Sequence, residues 1–326
     1  MFEVSPSSDY KENSPRLMRP PEVSIAGFAA AVGSLAAMVS FEEAVLSPKP
    51  GLVDPNGSGS HADMNWTTFV KGASALAPHW RDQALIGARC SYYKPLDGLA
   101  ACLRAKGQEM ERVMFGATDG VNTHKGLIFA LSLILGAFGR CFAKQDCSTV
   151  RILATASEII SPSVLSEFEI IKLKEGRNER LTNGEKIFAR CGVGGIRTEA
   201  ANGFPSLILG LEALEGAIAR GASLRDAALA ALLVIMRECE DTNIIHRAGV
   251  DFWRGEYKEK VSATLHNFNP LKPSGYEPLL DLDRLLIARG ASPGGAADLL
   301  ACTLFVYRSK ITDNSFENHL MGRLKV

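Results

Sequence analysis

The chain carries no cysteine pair at metal-ligand or redox spacing. Its seven cysteines (Cys90, Cys102, Cys141, Cys147, Cys191, Cys239 and Cys302) form no C-x-x-C and are odd in number. That excludes a disulfide framework as the organising principle and implies a reducing, cytoplasmic compartment. Charge of one sign is not in excess: Lys+Arg and Asp+Glu are both 36 in 326 residues. No dominant nucleic-acid surface is therefore expected, although a local basic pocket for a phosphorylated molecule remains open. Alternating strand patterns are almost absent, and no repeat of fixed period marks a solenoid. The N-terminus lacks the basic-then-apolar pattern of a signal peptide. No apolar run is read as reaching the roughly 18–20 residues that span a bilayer, so no membrane is expected as a partner. H-E-x-x-H, D-D-x-x-D and G-x-x-x-x-G-K-[ST] are all missing. Their absence removes the zinc, di-aspartate prenyl-transfer and P-loop readings.

What is present is a core. At 46% hydrophobic and 22% charged residues the chain can bury a full interior. Residues 1–20, rich in Ser, Pro and charge, read as a flexible N-terminal arm. Residues 21–326 read as a helical catalytic domain. Apolar spacing predicts helices over 22–46, 64–90, 96–117, 125–143, 148–160, 162–174, 205–220, 224–240, 248–265, 278–289 and 293–308. The fold class is all-α, a single large domain with its active site on interhelical loops.

Five loops concentrate polar residues. The first follows Glu42-Glu43 and runs through Lys49 to His61-x-Asp63. Paired carboxylates at a helix C-terminus oppose the macrodipole and call for a cation; the plainer reading is that the glutamates are solvated and Asp63 caps the next helix. The second, Asp119-Gly-Val-Asn-Thr-His-Lys-Gly126, runs straight into an apolar helix whose residues 127–138 should be buried almost all round. Asn122, Thr123, His124 and Lys125 thus stand at a helix start, where unpaired N–H groups favour anions. The alternative is an ordinary N-cap by Asn122 or Thr123.

The third loop, Gly192-Val-Gly-Gly-Ile-Arg197, can wrap an anion with backbone N–H groups and a guanidinium, Gly194 and Gly195 supplying the close approach. In the fourth, Glu240, Asp241, Asn243, His246 and Arg247 follow an apolar helix; they suit a metal or ribose hydroxyls, or else a solvated helix end with ion pairs. The fifth, Ser292-Pro-Gly-Gly295-Ala-Ala-Asp298, is a helix start with Pro at its first turn, and Asp298 lies about one turn in.

Taken together, Ser47-Pro-Lys-Pro-Gly-Leu-Val53, Gly59-Ser-His-Ala-Asp-Met64, Val121-Asn-Thr-His-Lys-Gly126, Gly195-Ile-Arg197 with Gly203-Phe-Pro205, Glu240-Asp-Thr-Asn243 with His246-Arg247, and Ser292-Pro-Gly-Gly-x-Ala-Asp298 resemble the triphosphoribosyl-dephospho-CoA synthases. The motifs run in register from about residue 40 to about residue 305. Two positions depart from the family pattern, which commonly has glycine in place of Asp119 and of Thr198. The resemblance implies an all-helical pentosyltransferase. It would transfer the 5-triphosphoribosyl group of ATP to the ribose 2′-hydroxyl of 3′-dephospho-CoA and release adenine. The product is the prosthetic-group precursor for the acyl-carrier subunit of citrate lyase or malonate decarboxylase, to be passed to an acyl-carrier-protein holo-synthase.

The bond broken is N-glycosidic, so a transition state resembling an oxocarbenium ion is expected. On that basis Lys49, Lys125, Arg197 and Arg247 are assigned to phosphates. Asp63, Glu240 and Asp241 are assigned to Mg²⁺ or the general base, with Glu43 and Asp298 as further metal ligands. His61 or His124 would assist adenine departure and Asn122 or Asn243 would orient a ribose or base. Thr123, Gly194, Gly195, His246, Gly294 and Gly295 complete the expected substrate contacts. Two rivals stand beside this reading: a Mg²⁺-dependent helical hydrolase of N-glycosidic or phosphoanhydride bonds, and a non-catalytic binder of CoA-like nucleotides.

Overall fold

The computed structural model describes residues 22–90, 95–177, 179–270 and 272–323, and within these not the side chains of 22–24, 273 and 311–323. The arm expected over 1–20 lies outside the described residues. Helices account for most of the described residues, and the one β-type pairing among them is an isolated bridge between Asp54 and Gly57. In chain order the helices are α1 Glu22–Val45, α2 Trp66–Leu76, α3 Trp80–Cys90, α4 Leu96–Ala117, α5 Lys125–Ala143, α6 Thr149–Gly176, α7 Asn183–Cys191, α8 Ile196–Ala201, α9 Pro205–Ala219, α10 Leu224–Glu238, α11 Thr242–Ala248, α12 Val250–Phe252, α13 Lys258–Asn267, α14 Glu277–Ala288 and α15 Gly294–Arg323. Many start where a polar side chain can satisfy an orphan N–H. Asn65 with Thr68 and Thr182 with Glu185 form capping boxes, and Ser148, Ser223 and Asp241 cap α6, α10 and α11.

Helix α5 is the centre. Residues 130–139 are all buried, and α1, α3, α4, α6 and α15 pack around the helix. The closest approach is to α3, where a Cβ on Gly87 would stand 1.9 Å from the Gly136 carbonyl oxygen and one on Gly139 would stand 2.1 Å from that of Ala84. Glycine at these places lets two helix backbones touch, which no side chain would permit. Trp80, Met110, Met114, Leu131, Phe138 and Phe305 fill the interior around them.

Several expected boundaries differ. The break expected before Pro162 does not occur; α6 runs through it for 28 residues. Proline removes an N–H and crowds the preceding turn. Here both halves bury one continuous face, Ile152 through Val164, and Ser157 and Ser161 donate to the Ala201 carbonyl at 2.5 and 2.9 Å. The segment 64–90 is split by a 3₁₀ turn at Ala77–His79, which contains Pro78. The segment 248–265 is likewise divided, with a π turn at Trp253–Tyr257 between α12 and α13. Helices α7, α8 and α11 were not foreseen.

Among the described residues two helices are, by length and composition, apolar enough to cross a membrane, contrary to expectation: 21 residues at Ile25–Val45 and 19 at Lys125–Ala143. For the second, most of the apolar window is buried inside the protein, so its composition is that of a core helix.

Candidate active site

The five polar loops meet in one cavity of about 480 Å³. The segments that enter α2, α5, α8, α11 and α15 all reach its wall, joined by the last turn of α1 and the Lys49 loop. The convergence places several helix N-termini around one space, which favours an anionic occupant.

On the floor, Glu43 and Lys49 are both buried, and the Lys49 ammonium donates to the Glu43 carboxylate at 2.5 Å and to its carbonyl at 2.8 Å. Two of its three N–H groups are thereby used and one is left for a ligand. His124 is 2% exposed; its Nδ1 lies 2.8 Å from the Thr123 hydroxyl, while Nε2 is buried without a partner. Burial, aided by the Lys49 charge, lowers this imidazole to about 3. At neutral pH it is an uncharged ring, not a proton donor of the imidazolium kind. Asp298 reaches the start of α5 and accepts from the Leu127 N–H; a side chain at Gly126 would meet its Oδ2 at 1.9 Å. Burial, then the charges of Glu43 and Asp241, push the Asp298 carboxyl well above the usual aspartate range.

Around the rim, Asn122 Oδ1 accepts from the Lys125 N–H at 3.1 Å, the local cap that the sequence allowed. The N–H groups of Lys125 and Leu127 are thus already satisfied by the protein. The Lys125 ammonium remains 55% exposed, 3.2 Å from Glu111. Arg197 lies 3.6 Å from Glu167. Glu240 accepts from the Gly194 N–H at 3.3 Å, so the glycine loop is closed by a carboxylate. Thr198, one of the two departures from glycine, places its hydroxyl over Gly194; Asp119, the other, has the positive φ of 54° that glycine would adopt freely.

His61 is held from both sides. Its Nδ1 accepts from Arg247 at 3.1 Å, which requires the proton on Nε2, and Nε2 donates to the Ser292 hydroxyl at 2.8 Å. Burial and Arg247 lower its pKa, with Asp63 opposing them. With both nitrogens engaged, His61 ties three loops together and is not free to serve adenine. Asp63 is 63% exposed beside it, and the cap of α2 expected from Asp63 is made by Asn65 instead.

Three expected site residues are not on the wall. Asp241 is 1% exposed and spends its carboxylate on the N–H groups of Asn243, Ile244 and Ala296, capping α11 and pinning it to α15. It is therefore neither base nor metal ligand. Gly195 packs against Thr242 and serves the turn. His246 points away to Asn183, 3.1 Å from its amide. Among the described residues no three His, Cys, Asp or Glu side chains stand close enough to form a metal site by themselves. The five-carboxylate metal set is therefore not one cluster.

The remaining expected residues, Asn243, Gly294 and Gly295 among them, do line the cavity. Sequence reading missed Phe69, Phe168, Ile171 and Phe188, and gave Ser292 no role. Phe168 and Phe188 stack at 3.9 Å with 10° between planes. They come from α6 and α7, and nothing in either segment distinguishes a wall residue from a packing one.

A profile of the family described as ATP:dephospho-CoA triphosphoribosyl transferase matches residues 29–315. A Vibrio cholerae protein named as a probable 2-(5''-triphosphoribosyl)-3'-dephosphocoenzyme-A synthase is 36% identical over 284 residues, 85% of this chain and 87% of that protein. One from Pectobacterium atrosepticum, named 2-(5''-triphosphoribosyl)-3'-dephosphocoenzyme-A synthase, is 37% identical over 269 residues, 81% and 84% of the two chains. A crystal structure from Archaeoglobus fulgidus overlaps with a TM-score of 0.43 at 20% identity, covering 73% of this chain and 97% of that one, too loosely to carry an argument.

Proposed function

This chain belongs to the ATP:dephospho-CoA triphosphoribosyl transferase family, and from that premise we propose how its cavity carries out the transfer. The enzyme moves the 5-triphosphoribosyl group of ATP to the 2′-hydroxyl of 3′-dephospho-CoA and releases adenine. The observation that carries the assignment of the site is the convergence of all five motif loops on one cavity, whose wall carries both cations and carboxylates.

In the reaction the C1′–N9 bond of ATP breaks, a C1′–O bond to the acceptor 2′-hydroxyl forms, and the triphosphate is kept. Lys49, Lys125, Arg197 and Arg247 hold phosphates. Glu240 is the general base: it is half-buried on the wall, whereas Asp63 stands largely in solvent and Asp241 is sealed away. It takes the hydroxyl proton and faces the positive charge that develops at C1′. The stacked Phe168–Phe188 pair supplies a flat apolar face for a base. His124, uncharged, offers its unpartnered Nε2 as a hydrogen-bonding group, not as a full acid.

Mg²⁺ fits the floor. Glu43 and Asp298 both line the cavity and Asp298 feels the Glu43 charge, with Lys49 as the close cation; a divalent ion there would favour the ionised form of Asp298. Mg²⁺ commonly takes one or two carboxylates together with substrate phosphates, so a preformed three-acid cluster is not required. When bound it neutralises the triphosphate. The compartment we propose is the cytosol, and the product is proposed to pass to an acyl-carrier-protein holo-synthase for citrate lyase or malonate decarboxylase.

The test is chromatography of a reaction containing the protein, Mg²⁺, ATP and 3′-dephospho-CoA. Adenine released one-for-one with a product heavier by a triphosphoribosyl group supports the reading. Adenine without that product would indicate a nucleosidase; ADP or phosphate would indicate a phosphohydrolase. Direct displacement also inverts C1′, so the new linkage should be α; a β linkage would overturn the single-step version.

A further inference from the structure

Beside the main cavity lies a second one of about 350 Å³, between α4, α5 and α6. The two share four residues: Lys125, Gly126, Ile196 and Arg197. Beyond this junction its character changes. Its wall is more apolar, with Leu103, Ile128, Phe129, Leu133, Ile160 and Val164 beside the polar Gln108, Glu111 and Glu167. A third cation, Arg104, lies 2.7 Å from Glu167, the carboxylate that also approaches Arg197. Within this apolar lining sits Ser132, 4% exposed, whose hydroxyl is buried with no hydrogen-bond partner. A serine on a helix ordinarily bonds back to its own preceding turn, and an unsatisfied buried hydroxyl carries a desolvation cost.

We infer that this second cavity holds the pantetheine arm of dephospho-CoA, an assignment that rests on the function proposed above. Dephospho-CoA has three parts in a fixed order: a nucleoside, a diphosphate and an amide-bearing aliphatic arm. The two cavities and their junction have matching chemistry in the same order. The nucleoside, with its reactive 2′-hydroxyl, stays beside Glu240 in the main cavity. The diphosphate crosses at Lys125 and Arg197. The arm enters the apolar crevice, where its gem-dimethyl group finds aliphatic walls and one of its amides meets the Ser132 hydroxyl. ATP has no such tail, so the crevice separates the acceptor from the donor, two molecules that otherwise share an adenosine phosphate.

Gly107 gives the test its handle. It lies on the wall of the crevice, and a Cβ there meets only Ile128 Cγ2, at 3.7 Å, so Gly107→Leu obstructs the space without a backbone clash and favours the helix. Initial rates of adenine release are measured for the full chain and for Gly107→Leu, varying each substrate, with pantetheine as inhibitor. The expected result is a KM for dephospho-CoA raised about 10-fold or more, in line with the loss of an apolar pocket contact. KM for ATP should be nearly unchanged, and the competition by pantetheine seen with the unaltered protein should be lost. Ser132→Ala, which empties rather than fills, should weaken pantetheine competition with folding intact. If Gly107→Leu folds and its KM for dephospho-CoA is unchanged, or if KM for ATP rises instead, the inference is overturned while the function stands. If the unaltered protein releases no adenine, both fall.

Discussion

The floor of the cavity and its rim carry similar residues under different physics. On the floor, Lys49 and Glu43 are almost sealed from water and His124 is uncharged. At the rim, Lys125, Arg197 and Asp63 are 55%, 44% and 63% exposed in their ion pairs. Exposed pairs contribute little and are screened by salt, whereas a buried charge left without its partner is costly. The lesson is that the rim can be altered for binding while the floor is bound up with folding. Activity loss on the floor is therefore interpretable only beside a stability measurement.

The largest effect that would sharpen this contrast is Lys49→Met. It strands a buried Glu43 and should cost about 3–5 kcal/mol in urea unfolding, with the Lys49→Met/Glu43→Gln double variant recovering much of the loss. A loss under about 1 kcal/mol, the size of an exposed pair, would erase the distinction between floor and rim. Next comes Glu240→Gln. Turnover should fall by about 100-fold or more with unchanged unfolding behaviour, the range expected when a general base is removed. Asp63→Asn should change it far less; the reverse ranking would move the base to the rim.

Asp298 tests the floor by pH. An acid whose folded pKa is raised favours the folded state below its unfolded pKa. That advantage declines as pH climbs from the ordinary aspartate range through the raised value. Asp298→Asn should therefore raise the melting temperature by more at pH 8 than at pH 5. An equal shift at both would mean that the carboxyl is not perturbed. The smallest expected effect lies at the rim: Lys125→Ala should raise KM for dephospho-CoA several-fold at low ionic strength and less at high. A salt-independent effect would show that Lys125 acts as a buried group does.

How far the chain could be read in advance follows the same divide. The bounds of α4 and α5 match the residues predicted, because strong apolar periodicity and a glycine-flanked loop are local signals. Polar loops in motif order identified the wall segments for the same reason. Pro162 misled because its local cost is offset by a face packed along its whole length. Asp241 misled in the opposite way: an acid beside Glu240 reads as chemistry, yet its carboxylate is consumed by backbone N–H groups of its own turn and of α15, the Ala296 N–H lying 55 residues distant.

The sequence by itself determined the all-helical class, the core identity of α5, and which loops carry the polar residues, since each depends on neighbours a few positions apart. Only the tertiary structure decided which of those residues face a common space. It lowered His124, spent both nitrogens of His61, turned Asp241 into a cap and His246 outward, and stacked Phe168 on Phe188. Burial and partnership are properties of atoms brought together from distant parts of the chain, and they set protonation, solvation and availability.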